Sequence, residues 1–187
     1  MKRNKPKNNL PPNYSLGNAI LDLLLDIGEN SILFEDPLKR LWRASRGIPA
    51  PKRWRYNRAM AYLARSEEIT LTTEKNHVFV ELTRKGKLRA LMTRLDQDFK
   101  KPQTWDGKWR VIMWDIPENS KQQRNRIRAL VKDLGFYQLQ KSVFVTPFPL
   151  PASAVQYLRE SELLQYIRFI RADKFDNDSA LKRNFKL

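Results

Sequence analysis

The sequence contains no cysteine and only one histidine, His77, and these two absences narrow the chemistry open to the chain. Without cysteine there is no disulfide framework, no cysteine nucleophile, and no zinc or iron–sulfur site held by thiolates. A single histidine excludes a metal site built from several imidazoles and disfavours hydrolysis by a Ser-His-Asp triad. We interpret His77 as an ordinary exposed side chain.

Long hydrophobic runs are also missing. The longest, Ala19–Ile27, is interrupted by Asp22 and Asp26 and falls well short of the roughly 18 residues that a membrane span requires. The first residues of the chain are basic but lack the apolar stretch of a signal peptide. We therefore expect a cytoplasmic protein with no membrane partner.

Positive charge, in contrast, is in large excess. The 187 residues include 36 Lys and Arg against 20 Asp and Glu, which gives a formal net charge of +16. Hydrophobic residues make up 41% of the chain and aromatic residues 11%, a composition typical of folded domains. A folded chain with this excess of cations is expected to bind a polyanion, most often a nucleic acid.

The pattern along the chain predicts two domains. The polar stretch Asp96–Thr104 separates a helical pattern from an abrupt strand pattern, and we place the domain boundary there. The predicted organisation is a flexible basic arm over residues 1–14, a first domain over 15–98, a linker over 99–104 and a second domain over 105–187.

The first domain shows apolar residues at helical spacing three times, followed by an alternating hairpin pattern and a further helix. The predicted elements are helices over Leu16–Ile27, Asp36–Ala44 and Arg53–Arg65, strands over Ile69–Thr72 and His77–Leu82, and a helix over Thr83–Leu95. Three helices followed by a two-stranded hairpin are the elements of a winged helix-turn-helix, a fold that reads duplex DNA.

The third predicted helix has two distinct faces. The spacing of Tyr56, Ala59, Met60 and Leu63 is that of a buried stripe. The opposite face is basic, and arginines on a helix in the major groove can reach phosphates or guanine edges. We predict DNA contacts from this helix by Arg53, Arg55, Arg58, Tyr62 and Arg65, and from the hairpin tip by Lys75 and Asn76. The alternative interpretation is a basic face that is merely solvated.

The second domain follows the order β-α-β-β-α-β, which is the ferredoxin-like arrangement. Ser120 and Gln123 form a capping-box pattern before its first helix, and Gly135 is a stop signal after it. The predicted elements are Lys108–Ile116, Lys121–Leu134, Tyr137–Gln140, Ser142–Pro147, Pro151–Leu164 and Tyr166–Ala172, with one short helix within Asp176–Leu187. The predicted fold class is therefore α+β throughout.

Three segments of this second domain carry a resemblance to a known family. Trp114–Glu118 (WDIPE), Arg124–Leu130 (RNRIRAL) and Leu134–Pro147 (LGFYQLQKSVFVTP) resemble the central domain of the PaaX-type transcriptional repressors. That domain is itself similar to the CRISPR-associated protein Cas-two. PaaX-type repressors also begin with a winged helix, so the resemblance covers roughly residues 15–175. It implies a DNA-binding repressor that forms a homodimer through residues 105–187.

PaaX-type repressors continue into a further C-terminal helical domain and respond to acyl-CoA effectors. The present sequence stops at Leu187, and we expect it to lack that domain. The identity of any small-molecule effector therefore stays open.

The resemblance to Cas-two proteins implies a second role, centred on Asp115. In those nucleases the corresponding acid, one from each subunit of a dimer, is implied to bind a divalent metal. A hard cation such as Mg²⁺ would orient water and stabilise the charge of the phosphorane. Glu118 and Asp106 are near in sequence. The alternative is that Asp115 caps the following turn or pairs with Arg110 or Arg124.

Three functional hypotheses follow. The first is a sequence-specific regulator of double-stranded DNA, acting as a homodimeric repressor that needs no cofactor. The second is a metal-dependent endonuclease of the Cas-two type, linked to CRISPR adaptation, with Asp115 at its centre. The third is an RNA-binding or nucleoid protein with little sequence preference. We favour the first hypothesis, and therefore a protein that is not an enzyme.

Overall fold

A computed structural model of the chain describes residues 15–28, 32–33, 51–75 and 77–187. The predicted arm over 1–14, the predicted helix Asp36–Ala44 and the predicted contact residue Asn76 lie outside the described residues. The chain divides into two compact units, Met1–Thr93 and Arg94–Leu187.

The described residues of the first unit include three helices. The first, α1 (Leu16–Ile27), begins at Ser15, whose hydroxyl oxygen accepts a hydrogen bond from the Asn18 amide at 3.1 Å. The second, α2, spans Arg53–Arg65, as the apolar spacing predicted. The third, α3 (Arg84–Lys100), follows Thr83, whose hydroxyl oxygen accepts a hydrogen bond from the Gly86 amide at 3.1 Å.

Helix α3 is longer than the predicted helix Thr83–Leu95. Its last turns continue because Leu95 and Phe99 pack into an apolar cluster of the second unit. Lys100 also pairs with Asp96 one turn earlier, at 2.5 Å. The predicted linker over 99–104 therefore begins within this helix.

The first unit also contains a small antiparallel sheet. Strands β2 (Ile69–Glu74) and β3 (His77–Leu82) form the predicted hairpin. A two-residue strand, β1 (Ile32–Leu33), pairs with the other side of β3 and places it at the centre of the order β1-β3-β2. Sequence analysis did not predict β1.

An ion pair and a hydrogen bond, both made by Arg89, link α3 to α1 and to the start of β2. The guanidinium of Arg89 on α3 donates to both carboxylate oxygens of the buried Glu68, at 2.7 and 2.5 Å. Its Nε donates to Asn18 Oδ1 on α1 at 3.0 Å. At the same corner, Gly86 lies so close to Glu68 that an added Cβ would meet the Glu68 carbonyl oxygen at 2.0 Å. The start of α3 and the start of β2 are thus locked together.

The second unit is built on a four-stranded antiparallel sheet with the order β5-β6-β4-β7. This topology is the ferredoxin-like one that the sequence predicts, and the α+β fold class is confirmed. Its elements are β4 (Trp109–Trp114), α4 (Lys121–Asp133), β5 (Tyr137–Gln140), β6 (Val143–Thr146), α5 (Ala152–Glu160), a 3₁₀ turn (Leu164–Tyr166), β7 (Ile167–Ala172) and α6 (Ser179–Phe185).

The central strand β4 is covered on both faces, because its apolar side chains point alternately to two clusters. Ile112 and Trp114 belong to the cluster that includes buried residues of α4 and α5. Trp109 and Val111 point to the other face, where Leu181 of α6 completes a second cluster. The sheet therefore packs against two helices on one side and the short C-terminal helix on the other.

Two local predictions in this unit are wrong. The capping box does not form, because the Ser120 hydroxyl donates to the Asn119 side chain at 3.3 Å and makes no bond to an α4 amide. Helix α5 ends at Glu160 rather than at Leu164, because Glu162 adopts a left-handed conformation with φ 60°. None of the helices that the structure describes is both long and apolar enough to span a bilayer.

Candidate nucleic-acid interface

The inner face of α2 fixes the orientation of the helix. Met60 and Leu63 are buried in the core of the first unit, and Tyr56 and Ala59 pack against the same cluster. Burial raises the pKa of the Tyr56 phenol to about 12. These are the four residues that the sequence assigned to the buried stripe, so the opposite face of α2 must be turned outward.

That outward face carries the predicted DNA-contact residues of the helix. All five are exposed: Arg53, Arg55, Arg58, Tyr62 and Arg65. The Nε of Arg65 donates to the Ala61 carbonyl one turn earlier, at 3.3 Å. Within the described part of the chain, Arg55 and Arg58 bind no carboxylate. Their charge is therefore available to a polyanion.

Sequence analysis missed one prominent member of this face. Trp54 is 61% exposed, the highest value among the large hydrophobic residues described. At 100° per residue it lies opposite Leu63 and within about 40° of Arg58 and Arg65. Its position opposite the buried stripe is a signal that the sequence contains, although a pattern of cations alone does not include an apolar side chain.

The hairpin tip presents the second predicted contact. Lys75 is exposed and adopts a left-handed conformation, with φ 46°, in the turn between β2 and β3. Its predicted neighbour Asn76 lies outside the described residues. Thr70, Thr72 and Glu74 on β2 are exposed as well, so this strand reaches the tip with polar side chains at the surface.

Asp115, the candidate metal ligand, follows the end of β4 and is exposed. Its amide donates to the Tyr166 carbonyl at 3.1 Å. The predicted pairing of its carboxylate with Arg110 or Arg124 does not form, since each guanidinium has another acceptor. Arg110 donates to both oxygens of Asp106 at 2.5 Å, and Arg124 donates to the Glu118 carbonyl at 2.7 Å.

Asp106 is a poor candidate for a metal ligand, because Arg110 binds both oxygens of its carboxylate. Hydrogen bonds from Arg110 lower the pKa of Asp106 to about 2. Among the residues that the structure describes, no three acidic or imidazole side chains come together as a metal site. Asp115 is thus an exposed carboxylate outside any such group, and within the described part of the chain a cation there would need further ligands from a second copy or from its substrate.

The two edges of the second sheet carry exposed apolar side chains. Phe169 and Ile170 lie on the edge strand β7, with Arg168 and Arg171 beside them. Tyr137 and Leu139 lie on the opposite edge, β5. An edge strand with exposed apolar residues is a ready site for pairing with another chain.

Comparison with known protein families identifies the second unit. Residues 102–183 match the family described as "PaaX protein central Cas2-like domain". The match contains the whole four-stranded sheet and the three segments on which the resemblance rested. The PaaX-type resemblance inferred from the sequence is therefore confirmed over this range. No curated protein matches the chain.

Proposed function

We propose that this chain, whose residues 102–183 form a PaaX-type central Cas2-like domain, is a PaaX-like transcription regulator that binds specific double-stranded DNA. We further propose that it acts as a repressor and as a homodimer. The outward face of α2 carries this proposal, because it concentrates four exposed arginines on one helix surface, and among the described residues Arg55 and Arg58 bind no carboxylate. No cofactor is required for such binding.

The strands and helices described in the first unit support this function, and we propose that this unit folds as a winged helix. The hairpin follows α2 directly, and β1 adds a third strand beside β3, which is the sheet that a winged helix places next to its recognition helix. Under this proposal α2 is the recognition helix and Lys75 belongs to the wing. The middle helix of the motif would fall in the predicted segment Asp36–Ala44, outside the described residues.

The chemistry of α2 suits the major groove. A helix of about 10–12 Å diameter fits that groove, and arginine can bind a phosphate or the O6 and N7 atoms of guanine. Arg58 and Arg65 lie farthest from the core and would reach deepest, while Arg53, Arg55 and Tyr62 flank them. Phosphate contacts would set the affinity, and contacts to base edges would set the sequence.

A homodimer would bring two α2 helices to the DNA. The exposed Phe169 and Ile170 on β7 provide an apolar edge on which a second copy could pair. Two copies related by a two-fold axis would present two α2 helices to an inverted repeat, with half-sites about 34 Å or a multiple of it apart. Occupation of such an operator would block other proteins from the same duplex, which is how repression would follow from binding.

The first test is a selection of randomised duplexes by the full chain, with and without Mg²⁺, in which both enrichment and cleavage are read. We expect an enriched inverted repeat that is left intact. A ratio near one between selected and random duplex would instead support a nucleoid or RNA-binding role. Cleaved DNA without enrichment would support the nuclease.

The second test assigns the interface to α2. Arg58→Ala should weaken binding to the selected site by about 10-fold and reduce the slope of log affinity against log salt by about one. Arg126→Ala removes the same charge from an exposed position on α4 and is the matched control. Equal losses for the two variants would mean that net charge alone governs binding, and would contradict a recognition role for α2.

The nuclease remains the second candidate because the Asp115 carboxylate is exposed and lacks the arginine partners that would neutralise it. Under this alternative Mg²⁺ would bind at Asp115. Cleavage that depends on Mg²⁺ and disappears in Asp115→Ala would establish the activity. DNA binding that is unchanged by Asp115→Ala, together with intact substrate at high Mg²⁺, would exclude it.

A further inference from the structure

The most unusual side chain on the outward face of α2 is its tryptophan. Trp54 is 61% exposed, whereas tryptophan is on average among the more buried residue types. Two further features make its exposure informative. It makes no ring contact within the described part of the chain, and it lies in the first turn of α2, among exposed arginines.

In the proposed complex, Trp54 would lie beside the base edges in the major groove. It lies one turn before Arg58, about 6 Å along the helix axis, and on the same side as Arg65. The residues near the N-terminus of a recognition helix are those that contact base edges in the major groove. Trp54 would therefore meet bases in the same groove in which Arg58 and Arg65 contact phosphate or guanine.

Few groups in the major groove of DNA can make an apolar contact with an indole ring. Most groups on the base edges are hydrogen-bond donors or acceptors, and the apolar exception is the C5-methyl group of thymine. The indole ring offers one N–H donor at its edge and a large apolar surface. A thymine methyl covered by that surface would lose its contact with water, which is favourable.

We propose that Trp54 is a specificity-determining residue that contacts a thymine C5-methyl group, so that each half-site of the operator contains a thymine opposite the first turn of α2. This inference rests on the proposed function, since it requires α2 to enter the major groove. Under this proposal, part of the sequence preference comes from an uncharged residue that does not contribute to phosphate binding. The preference for thymine is therefore separable from the salt-dependent binding of the arginines.

The test removes the methyl group alone. In the duplex selected above, each thymine of one half-site is replaced in turn by deoxyuridine, and the dissociation constant is measured by fluorescence anisotropy. For the unchanged protein we expect a loss of about 3- to 5-fold at one thymine, the value for exposing one buried methyl group. At that position Trp54→Ala should bind thymine and deoxyuridine equally.

A conservative variant tests whether an aromatic ring at position 54 is what senses the methyl group. Trp54→Phe keeps an apolar aromatic ring at the same position and should retain a preference for thymine at that position, whereas Trp54→Ala should lose it. Trp54 is largely exposed, so Trp54→Ala should unfold at the same temperature as the unchanged protein. Should the variant nonetheless be unstable, the deoxyuridine series on the unchanged protein still decides whether any methyl group is sensed.

Two results would overturn the proposal. The first is a series in which no deoxyuridine weakens binding, and the second is a loss of equal size in Trp54→Ala. If binding still depends on Arg58 in either case, the reading of the methyl group fails and the proposed function stands. If no sequence is enriched at all, or if Arg58→Ala has no effect, both proposals fail together.

Discussion

At the scale of single residues, the ion pair between Arg89 and Glu68 is a partly buried contact of the first unit. The Glu68 side chain is 8% exposed and the Arg89 side chain 31%, so one charge is almost fully removed from water. Glu68 accepts two hydrogen bonds from the one guanidinium that faces it. A carboxylate in this position is tolerated only while its partner is present.

Replacing Arg89 with methionine should therefore destabilise the chain by about 2–3 kcal/mol, because Glu68 would be left buried without a counter-charge. This value is at the lower end for buried pairs because Arg89 keeps some contact with water. Chemical unfolding of the full chain followed by tryptophan fluorescence measures it. Lys100→Met is the control, since its pair with Asp96 is more than half exposed and should change stability by less than about 1 kcal/mol. Equal effects would contradict the structural role of the pair.

The pair of Asp106 and Arg110 makes a prediction about pH. Hydrogen bonds from Arg110 lower the pKa of Asp106 from its ordinary value of 3.8 to about 2. A carboxyl with a lowered pKa in the folded state stabilises the fold above its ordinary value and loses that contribution as the pH falls toward the lowered one. We therefore expect the pair to persist at pH 4 and to break as the pH falls through about 2.

Carbon NMR of the Asp106 carboxyl during an acid titration tests this expectation. In Arg110→Gln the midpoint should return to about 4, the ordinary value for an aspartate. A midpoint near 4 in the unchanged protein would show that the two side chains do not pair in solution.

At the scale of elements, the sequence was a reliable guide wherever the periodicity of side chains decides the structure. Helix α2 has the predicted bounds, Arg53–Arg65, and its buried stripe and exposed arginines lie on the predicted faces. Strand β1 could not be predicted, because a two-residue strand exists only through its pairing with β3. The last turns of α3 could not be predicted either, since the cluster that covers Phe99 is assembled from residues distant in sequence.

The candidate site, like the elements, was predictable only where the periodicity of side chains decides the structure. Periodicity placed the arginines of α2 at the surface but could not say which acids would be paired. The sequence allows Arg110 to pair with Asp115, and only the folded sheet shows that Arg110 binds Asp106 instead. Ser120 was assigned to a capping box because its spacing fitted, although its hydroxyl bonds to Asn119 instead.

The close approach of α3 to the start of β2 yields a prediction at this scale. Gly86→Ala should destabilise the chain by about 1–3 kcal/mol, because its new methyl group would lie 2.0 Å from a backbone oxygen. Gly17→Ala is the matched control, a helical glycine whose nearest neighbour would be 3.5 Å away, which is ordinary contact. That change should be neutral or stabilise α1 by up to about 1 kcal/mol. Thermal unfolding of both variants distinguishes a crowded glycine from a merely flexible one.

At the scale of the whole molecule, under the proposed function, the excess of positive charge would set the affinity for DNA, and dimerisation would set the number of half-sites bound at once. The net charge of +16 is that of one copy, and a homodimer would carry twice as much. Affinity should therefore fall steeply between about 50 and 200 mM salt. Loss of the dimer should weaken binding to an inverted repeat more than binding to a single half-site.

A charge on the exposed edge of the second sheet should separate these two effects. Ile170→Lys places a cation on β7, and we expect it to prevent pairing with a second copy. Leu71→Lys is the control, because Leu71 on β2 is 43% exposed against 45% for Ile170 and receives the same charge. Sedimentation equilibrium should show monomers only for Ile170→Lys. A dimer that survives this change would place the contact elsewhere on the molecule.

The course of α3 has a consequence for how such a protein can be cut and recombined. The family match begins at residue 102, but the second unit includes residues from Arg94 onward, and Leu95 and Phe99 on α3 belong to its apolar cluster. A fragment that starts at the family boundary would leave that cluster open to water. Any gene fusion that gives this Cas2-like unit a different partner must therefore inherit the last turns of a helix that begins in the neighbouring module.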